Sequence, residues 1–348
     1  MCSFEAFGVT PVISTSFTKH YLSFNKLVIR SWISTTDPTA YSGLNQPTVH
    51  PLISMANTSP LLRDGLPGIE RRTGLDTKEF MRDYVFARKP VILTDFSKNW
   101  SAMGKWTPEF FAAKYGHITH EVKGKKYSVA EQMGLIRTST EEKPAPYSYN
   151  LNIDTVFPEL KPDVEPMLMG RRDRLAHPFV PKSLLRGTVK HEVFFGGKGA
   201  SFPVLHVDLQ HLHTQITQLY GDKEFFLFPP DQTPNMYPRP SYPLYSDVEN
   251  VFDPDLKKFP LFGEAKGYRE YLREGETIFF PTGWWHMTRI PGPSISYGRA
   301  LLERTNWNDY LKDTYDGWKK KSSVMAIPAY AIGKAAGALM DLDDAVRS

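Results

Sequence analysis

Residues 221–230 read Gly-Asp-Lys-Glu-Phe-Phe-Leu-Phe-Pro-Pro. Gly-Asp is turn chemistry, and Pro229-Pro230 lacks the N–H groups that a central ladder needs. Between them stand four consecutive large apolar side chains, which read as a short strand. Lys223 leads that strand. It sits either at a solvated rim or inside a pocket, where it would need an anion to pair with. Similar short runs recur at His191–Phe195, Val204–Asp208, Thr214–Tyr220, Thr277–Phe280 and Ser294–Gly298, separated by Pro and Gly. Short strands with turn chemistry between them predict a mainly β fold, a sandwich or a barrel.

Outward from this core the pattern turns helical. Asp76-Thr77-Lys78-Glu79 has capping-box spacing and predicts a helix to about Phe86, which Lys89-Pro90 stops. Val91–Thr94 follows as a short strand, and Thr107-Pro108-Glu109 opens a second helix that Gly116 suits as an end. After Trp307 two further helices are expected, over 310–318 and 330–346. Pro229–Pro260 holds eight prolines and is too long for a simple turn, so it reads as an ordered insert that shapes a groove or caps the sheet. Residues 1–60 are Ser/Thr-rich and contain Lys19, Lys26 and Arg30 with no acid between Glu5 and Asp37. They fit a disordered extension or an organelle transit peptide, with cytoplasmic or nuclear residence expected otherwise. The chain thus divides into 1–60, a main domain over 61–306 and a helical segment over 307–348.

Composition narrows the function classes. The chain has 348 residues, 41% hydrophobic, with a net charge of +4, so it carries ample material for a core. That slight surplus does not indicate nucleic-acid binding, which needs a basic face. A lone Cys2 excludes a disulfide framework and Cys-based zinc modules. No membrane span is expected: the most apolar stretch, Ala326–Met340, is interrupted by Pro328 and Lys334.

Four of the ten histidines lie between 206 and 286. His206-Val207-Asp208 places two metal-competent side chains on one strand face, although chance supplies such a tripeptide readily. His286 ends a Gly-Glu turn, strand and Pro sequence, Gly275-Glu276-Thr277-Ile278-Phe279-Phe280-Pro281-Thr282-Gly283-Trp284-Trp285-His286. Together the three form a two-histidine, one-carboxylate set of the kind that covers one face of an iron(II) ion and leaves open positions. His211 and His213 are rival ligands or pocket-wall histidines.

His-x-Asp, Gly-x-Lys-x-x-x-Leu-x-Pro-Pro and Gly-Glu-x-x-x-x-Pro-x-x-Trp-Trp-His, in that order, resemble the JmjC (cupin-8) family of 2-oxoglutarate oxygenases. The likeness extends to Leu227–Gln232, Tyr237-Pro238, Phe252–Asp255 and the opening Lys89–Leu93, Asn99-Trp100 and Trp106–Glu109, and is nearest to the hypoxia-inducible-factor asparaginyl hydroxylase branch. The resemblance implies a double-stranded β-helix, a jelly roll flanked by helices. It implies iron(II) held by His206, Asp208 and His286, with 2-oxoglutarate and dioxygen as cosubstrates. Lys223 would pair with the distal carboxylate of 2-oxoglutarate. Tyr149 would join it there, with Tyr147 as a rival, and Thr214 would lie near the cosubstrate. Ser201 is the nearest hydroxyl before His206, and the late-strand asparagine of the asparaginyl hydroxylases is replaced near Ser296–Gly298. Trp284, Trp285, Phe279 and Phe280 are expected to wall the site.

The function implied is hydroxylation of a protein or peptide side chain. N-methyl-lysine demethylation ranks below it because one cysteine cannot build a zinc reader module. Oxidation of a tRNA base or a small molecule by the same fold, and a non-catalytic metal-binding cupin, are the remaining alternatives. The C-terminal helices are candidates for a homodimer interface or for a cover over their own subunit.

Overall fold

A computed structural model describes residues 66–169, 172–180 and 191–347. The amino-terminal extension and its transit-peptide reading lie outside the described residues.

Fourteen strands follow one another among the described residues. The first five are β1 (Arg71–Arg72), β2 (Val91–Leu93), β3 (Thr119–Val122), β4 (Lys125–Ser128) and β5 (Ser148–Asn152). The central ones are β6 (His191–Gly196), β7 (His213–Tyr220), β8 (Lys223–Phe228), β9 (Pro238–Arg239) and β10 (Tyr242–Ser246). The last are β11 (Tyr268–Leu272), β12 (Thr277–Phe280), β13 (Trp285–Arg289) and β14 (Ser294–Leu301). Seven form one sheet in the order β1-β2-β12-β7-β14-β6-β5, and β11-β8-β13 form a second. This is the expected mostly β, cupin-like jelly roll with flanking helices.

Why β8 is apolar without alternation follows from what covers it. Phe225 and Leu227 pack toward the larger sheet with Ile92, Ile278 and Phe280. Phe226 and Phe228 face the other way, against Met236, Val248, Val251, Phe259 and Phe262 of the proline-rich insert. A strand covered on both faces needs apolar side chains at both parities. The insert is therefore a third layer on the smaller sheet.

The insert also reaches the segment before β7. Val207 donates its N–H to the Leu244 carbonyl and Ser246 donates to that of Leu205, both at 2.9 Å. Val204–Asp208, expected as a full strand, is instead a pair of single bridges: His206 pairs with Tyr245 on one side and His286 on the other. Pro203 offers no N–H on one flank, and on the other Gln210 and His211 take left-handed backbone with φ of 61° and 54°.

The helical flanks form where side chains satisfy their ends. Asp76 accepts the Glu79 N–H at 2.8 Å and opens α1 (Thr77–Phe80), which passes into a π-turn over Met81–Val85. Thr107 caps α2 (Pro108–Tyr115). A capping box between Ser128 and Glu131 opens α3 (Val129–Thr138), a signal the sequence carries at Ser128-Val129-Ala130-Glu131 and that the reading above missed. The short α4 (Ile153–Val156) follows. Phe111, Val129, Met133 and Ile136 from these helices cover the outer face of the larger sheet at Val193, Phe195, Ile295 and Tyr297.

At the C-terminus α5 (Trp307–Lys321) and α6 (Ser323–Arg347) are both longer than expected. Pro328 and Lys334 do not interrupt α6. Pro328 lies near its start, where the carbonyl deprived of a partner would be that of Val324, which is 79% exposed. Among the described residues, α6 is long and apolar enough to cross a membrane by length and composition, with a third of its most apolar window buried. Ala336 and Met340 pack it on Trp307, Tyr310 and Leu311 of α5.

Candidate metal centre

Two elements deliver the histidines. His206 and His286 exchange backbone hydrogen bonds of 3.1 and 2.8 Å, and their rings stand 4.2 Å apart. The Nδ1–H of His206 donates to the Val204 carbonyl at 3.0 Å, and that of His286 donates to the Trp284 carbonyl at 3.2 Å. A carbonyl only accepts, so each Nδ1 carries the proton and each Nε2 is left with its lone pair. Asp208 Oδ1 lies 3.7 Å from His206 Nε2 and 3.8 Å from His286 Nε2. One donor atom from each of the three residues falls within 4.8 Å of the others. Burial pushes His206 down to about 3, so its ring is neutral at ordinary pH. Two imidazoles and a carboxylate converging from one side suit a divalent first-row transition ion and leave room for other ligands.

Asp208 is held differently. Its Oδ2 accepts a hydrogen bond from Thr214, the sequence candidate at the start of β7. Between them lies a short turn, Leu209–His211, containing the two consecutive left-handed residues. Left-handed backbone costs a non-glycine residue about 1–2 kcal/mol, so this turn needs external support. His211 and His213 do not join the triad. The His211 ring is 3.6 Å from Asp313, which pulls its pKa up. His213 is buried on the outer face of β7, where its Nδ1 accepts the Thr282 N–H and its Nε2 lies 3.5 Å from Glu303.

Strand alternation puts Lys223 inward with Phe225 and Leu227. It is 1% exposed, and burial pushes its pKa down to about 7. Its Nζ donates to the Tyr147 hydroxyl at 3.1 Å and to Ser296 on β14. No carboxylate among the described residues forms an ion pair with it. Tyr147, the rival of Tyr149, is the tyrosine that meets the lysine, and Tyr149 stands beside it with its ring 6.2 Å from that of Tyr147 and 5.2 Å from that of Phe202. The two tyrosines are two apart in sequence, and the alignment of motifs alone could not choose between them. Ser296 stands where the resemblance loses its asparagine, and Thr288, beside the Tyr147 hydroxyl, has no sequence signal of its own.

The aromatic wall also differs from expectation. Of the four proposed rings only Phe280 meets the triad, 4.7 Å from His286. Phe279 turns outward to Phe80 and Trp285 packs under the insert, because neighbours in a strand alternate faces, while Trp284 packs on Tyr268 in the core shared with Phe280. The remaining wall comes from Phe202, stacked on His206 at 4.2 Å and 17°, and from Tyr245 of the insert, edge-on to His206 at 6.1 Å.

Comparison with known proteins agrees with this geometry. The chain is 25% identical over 263 residues to Lysine-specific demethylase JMJ21 of Arabidopsis thaliana, covering 73% of this chain and 27% of that protein. It is 27% identical over 235 residues to Lysine-specific demethylase 8 of Xenopus tropicalis, covering 63% and 49% respectively. To Jumonji C domain-containing protein 5 of Drosophila melanogaster it is 24% identical over 287 residues, covering 78% and 67%. The match spans less than two thirds of the first two relatives' own length. The model of the cupin-like domain matches residues 77–297, most of the chain and every strand from β2 to β13, and the chain belongs to that family.

Proposed function

We propose that this protein is an iron(II)- and 2-oxoglutarate-dependent oxygenase that oxidises a carbon–hydrogen bond of a protein side chain, and that its substrate is an N-methylated lysine. One observation carries the reading. A two-histidine, one-carboxylate cluster lies beside a buried lysine hydrogen-bonded to two hydroxyls, with His286 opposite Leu227 in the β13–β8 register and Lys223 at the head of β8. Two relatives named as lysine-specific demethylases support the choice of substrate over the simple hydroxylation first expected.

His206, Asp208 and His286 would hold iron through Nε2, a carboxylate oxygen and Nε2. Lys223, with Tyr147 and Ser296, would hold the distal carboxylate of 2-oxoglutarate. When bound, iron, 2-oxoglutarate and dioxygen supply the oxidising power that no side chain provides. The protein's part is placement. The backbone carbonyls of Val204 and Trp284 lock the imidazole tautomers, Thr214 orients Asp208, and Phe202, Phe280 and Tyr245 keep water from the reacting face. Hydroxylating an N-methyl carbon gives a hemiaminal, which releases formaldehyde and the shortened amine. All of these residues lie within the proposed catalytic unit, 61–306.

The motif likeness to asparaginyl hydroxylases supports a second reading, in which the hydroxyl stays on the product. One experiment separates them: methyl-lysine and asparagine peptides incubated with iron, ascorbate and 2-oxoglutarate, read by mass spectrometry. Formaldehyde with loss of a methyl group supports demethylation, and gain of one oxygen supports hydroxylation. No succinate above a His206→Ala control with either peptide set would leave a non-catalytic metal-binding cupin. We also propose that two chains pair through α6. Eight of the thirteen exposed large hydrophobic residues among the described residues lie on it, and light scattering with and without residues 307–348 tests the pairing.

A further inference from the structure

We infer that Asn306, together with Asp313 on the helix that follows it, is a positioning device for Asp208, so that the C-terminal helices set the affinity of the metal centre. The inference rests on the metal reading above and adds a role for residues outside the triad.

Asp208 is followed at once by a turn that the backbone does not favour. The hydrogen bond closing it, from the Leu212 N–H to the Leu209 carbonyl, is 3.4 Å long. What grips the turn comes from α5. Asn306 is wholly buried, and its Nδ2 donates to the His211 carbonyl at 2.8 Å while its Oδ1 accepts the Glu303 N–H at 2.8 Å. Asp313, further along α5, holds the His211 ring. His211 is thus held at both its backbone and its side chain by one helix.

Asn306 stands at the N-cap position of α5, yet its side chain makes no capping hydrogen bond to that helix. Its acceptor is taken by the Glu303 N–H and its donor is spent on the turn. The helix is itself anchored. Trp307 packs with Leu175, Leu212, Leu302 and Met340, Arg174 lies 5.3 Å over its ring, and Arg174 pairs with Asp341 of α6. A continuous set of contacts therefore runs from α6 through α5 to the turn that presents the carboxylate. Releasing the turn lets Gln210 and His211 relax from left-handed backbone, which swings Asp208 away from the two histidines.

The test uses the full chain and cobalt(II) as probe, because its visible absorption reports the ligand set. Wild type, Asn306→Ala, Asp313→Ala, Asp208→Ala and His206→Ala are titrated, with circular dichroism and thermal unfolding of each metal-free variant alongside. Asn306→Ala should weaken cobalt binding on the order of tenfold or more, as loss of an outer partner does. Its cobalt spectrum should shift toward that of Asp208→Ala. Asp313→Ala, a change at a part-exposed residue, should move affinity and spectrum the same way by less, and decides the matter if Asn306→Ala does not fold. Wild-type affinity and an unshifted spectrum in folded Asn306→Ala, or in Asp313→Ala when Asn306→Ala does not fold, would overturn the inference. Cobalt uptake by wild type no better than by His206→Ala would instead overturn the metal reading on which it rests.

Discussion

His206 and His286 face each other across a pair of backbone hydrogen bonds, whereas Asp208, two residues along, hangs from a turn that leaves the sheet. The histidines inherit their positions from the ladder, and main-chain carbonyls one turn of the strand away set their tautomers. The carboxylate depends on side chains distant in sequence: Thr214 from β7, and Asn306 and Asp313 from the C-terminal segment. Two of the three proposed ligands are thus built into the jelly roll, and the third is supported from outside it. The lesson is that a ligand's neighbours in sequence do not reveal how firmly it is held.

The largest expected effect tests the rigid half. His206→Ala and His286→Ala should each abolish detectable turnover and cost more metal affinity than the roughly 10–100-fold typical of outer partners. Asp208→Ala should retain weak binding through the paired histidines. Equal losses in a cobalt titration of all three would break the distinction.

Lys223→Ala comes next. A charge-assisted hydrogen bond contributes about 1.5–3 kcal/mol, so affinity for 2-oxoglutarate should fall on the order of tenfold to a hundredfold while the cobalt affinity of the triad is unchanged. Calorimetry checks both in one preparation, and a parallel loss of metal would show that the two sites are not separable.

The pH dependence is the third. Lys223 titrates near 7 in the folded protein because burial disfavours its charge, against an ordinary value of 10.5. Between those values the unfolded chain binds the proton and the folded chain does not, so this lysine makes stability rise with pH across that window and leaves its full penalty below 7. Anion binding needs the charged form. The affinity of 2-oxoglutarate should therefore fall about tenfold per unit above pH 7, with proton uptake on binding visible in buffers of different ionisation enthalpy. A flat profile from pH 7 to 9 in the wild type would contradict a buried, mostly neutral lysine.

The smallest effect probes the strained turn itself. Gln210 has φ of 61°, where glycine is at ease, so Gln210→Gly should stabilise the metal-free protein by up to about 1 kcal/mol. A drop in thermal midpoint would mean that the Gln210 side chain does more than tolerate its backbone.

Much of this was legible from residues alone. The turn-strand-proline sequence around 221–230, the N-caps at Asp76 and Thr107, and the order of the three motifs anticipate the jelly roll and its helical flanks. Short-range chemistry writes those signals, and they survive folding. The misreadings share one cause. The outward turn of Phe279 and Trp285 and the reduction of Val204–Asp208 to two bridges both depend on which face a side chain takes, and a single bulge or turn reverses that. Thr288 and Phe202 were invisible as site residues because nothing in their local sequence differs from ordinary strand and loop.

The sequence by itself determined the candidate ligand types, their order, and the strands around Lys223 and Phe280, because periodicity and turn chemistry act over a few residues. Only the tertiary structure decided that Lys223 would be sealed among hydroxyls, that the proline-rich insert would pair with the segment bearing His206, and that α5 would grip the turn behind Asp208. Those contacts join residues some 40 to 100 positions apart. They exist only once the sheets, the insert and the helices pack, and no pattern within a window of sequence records them.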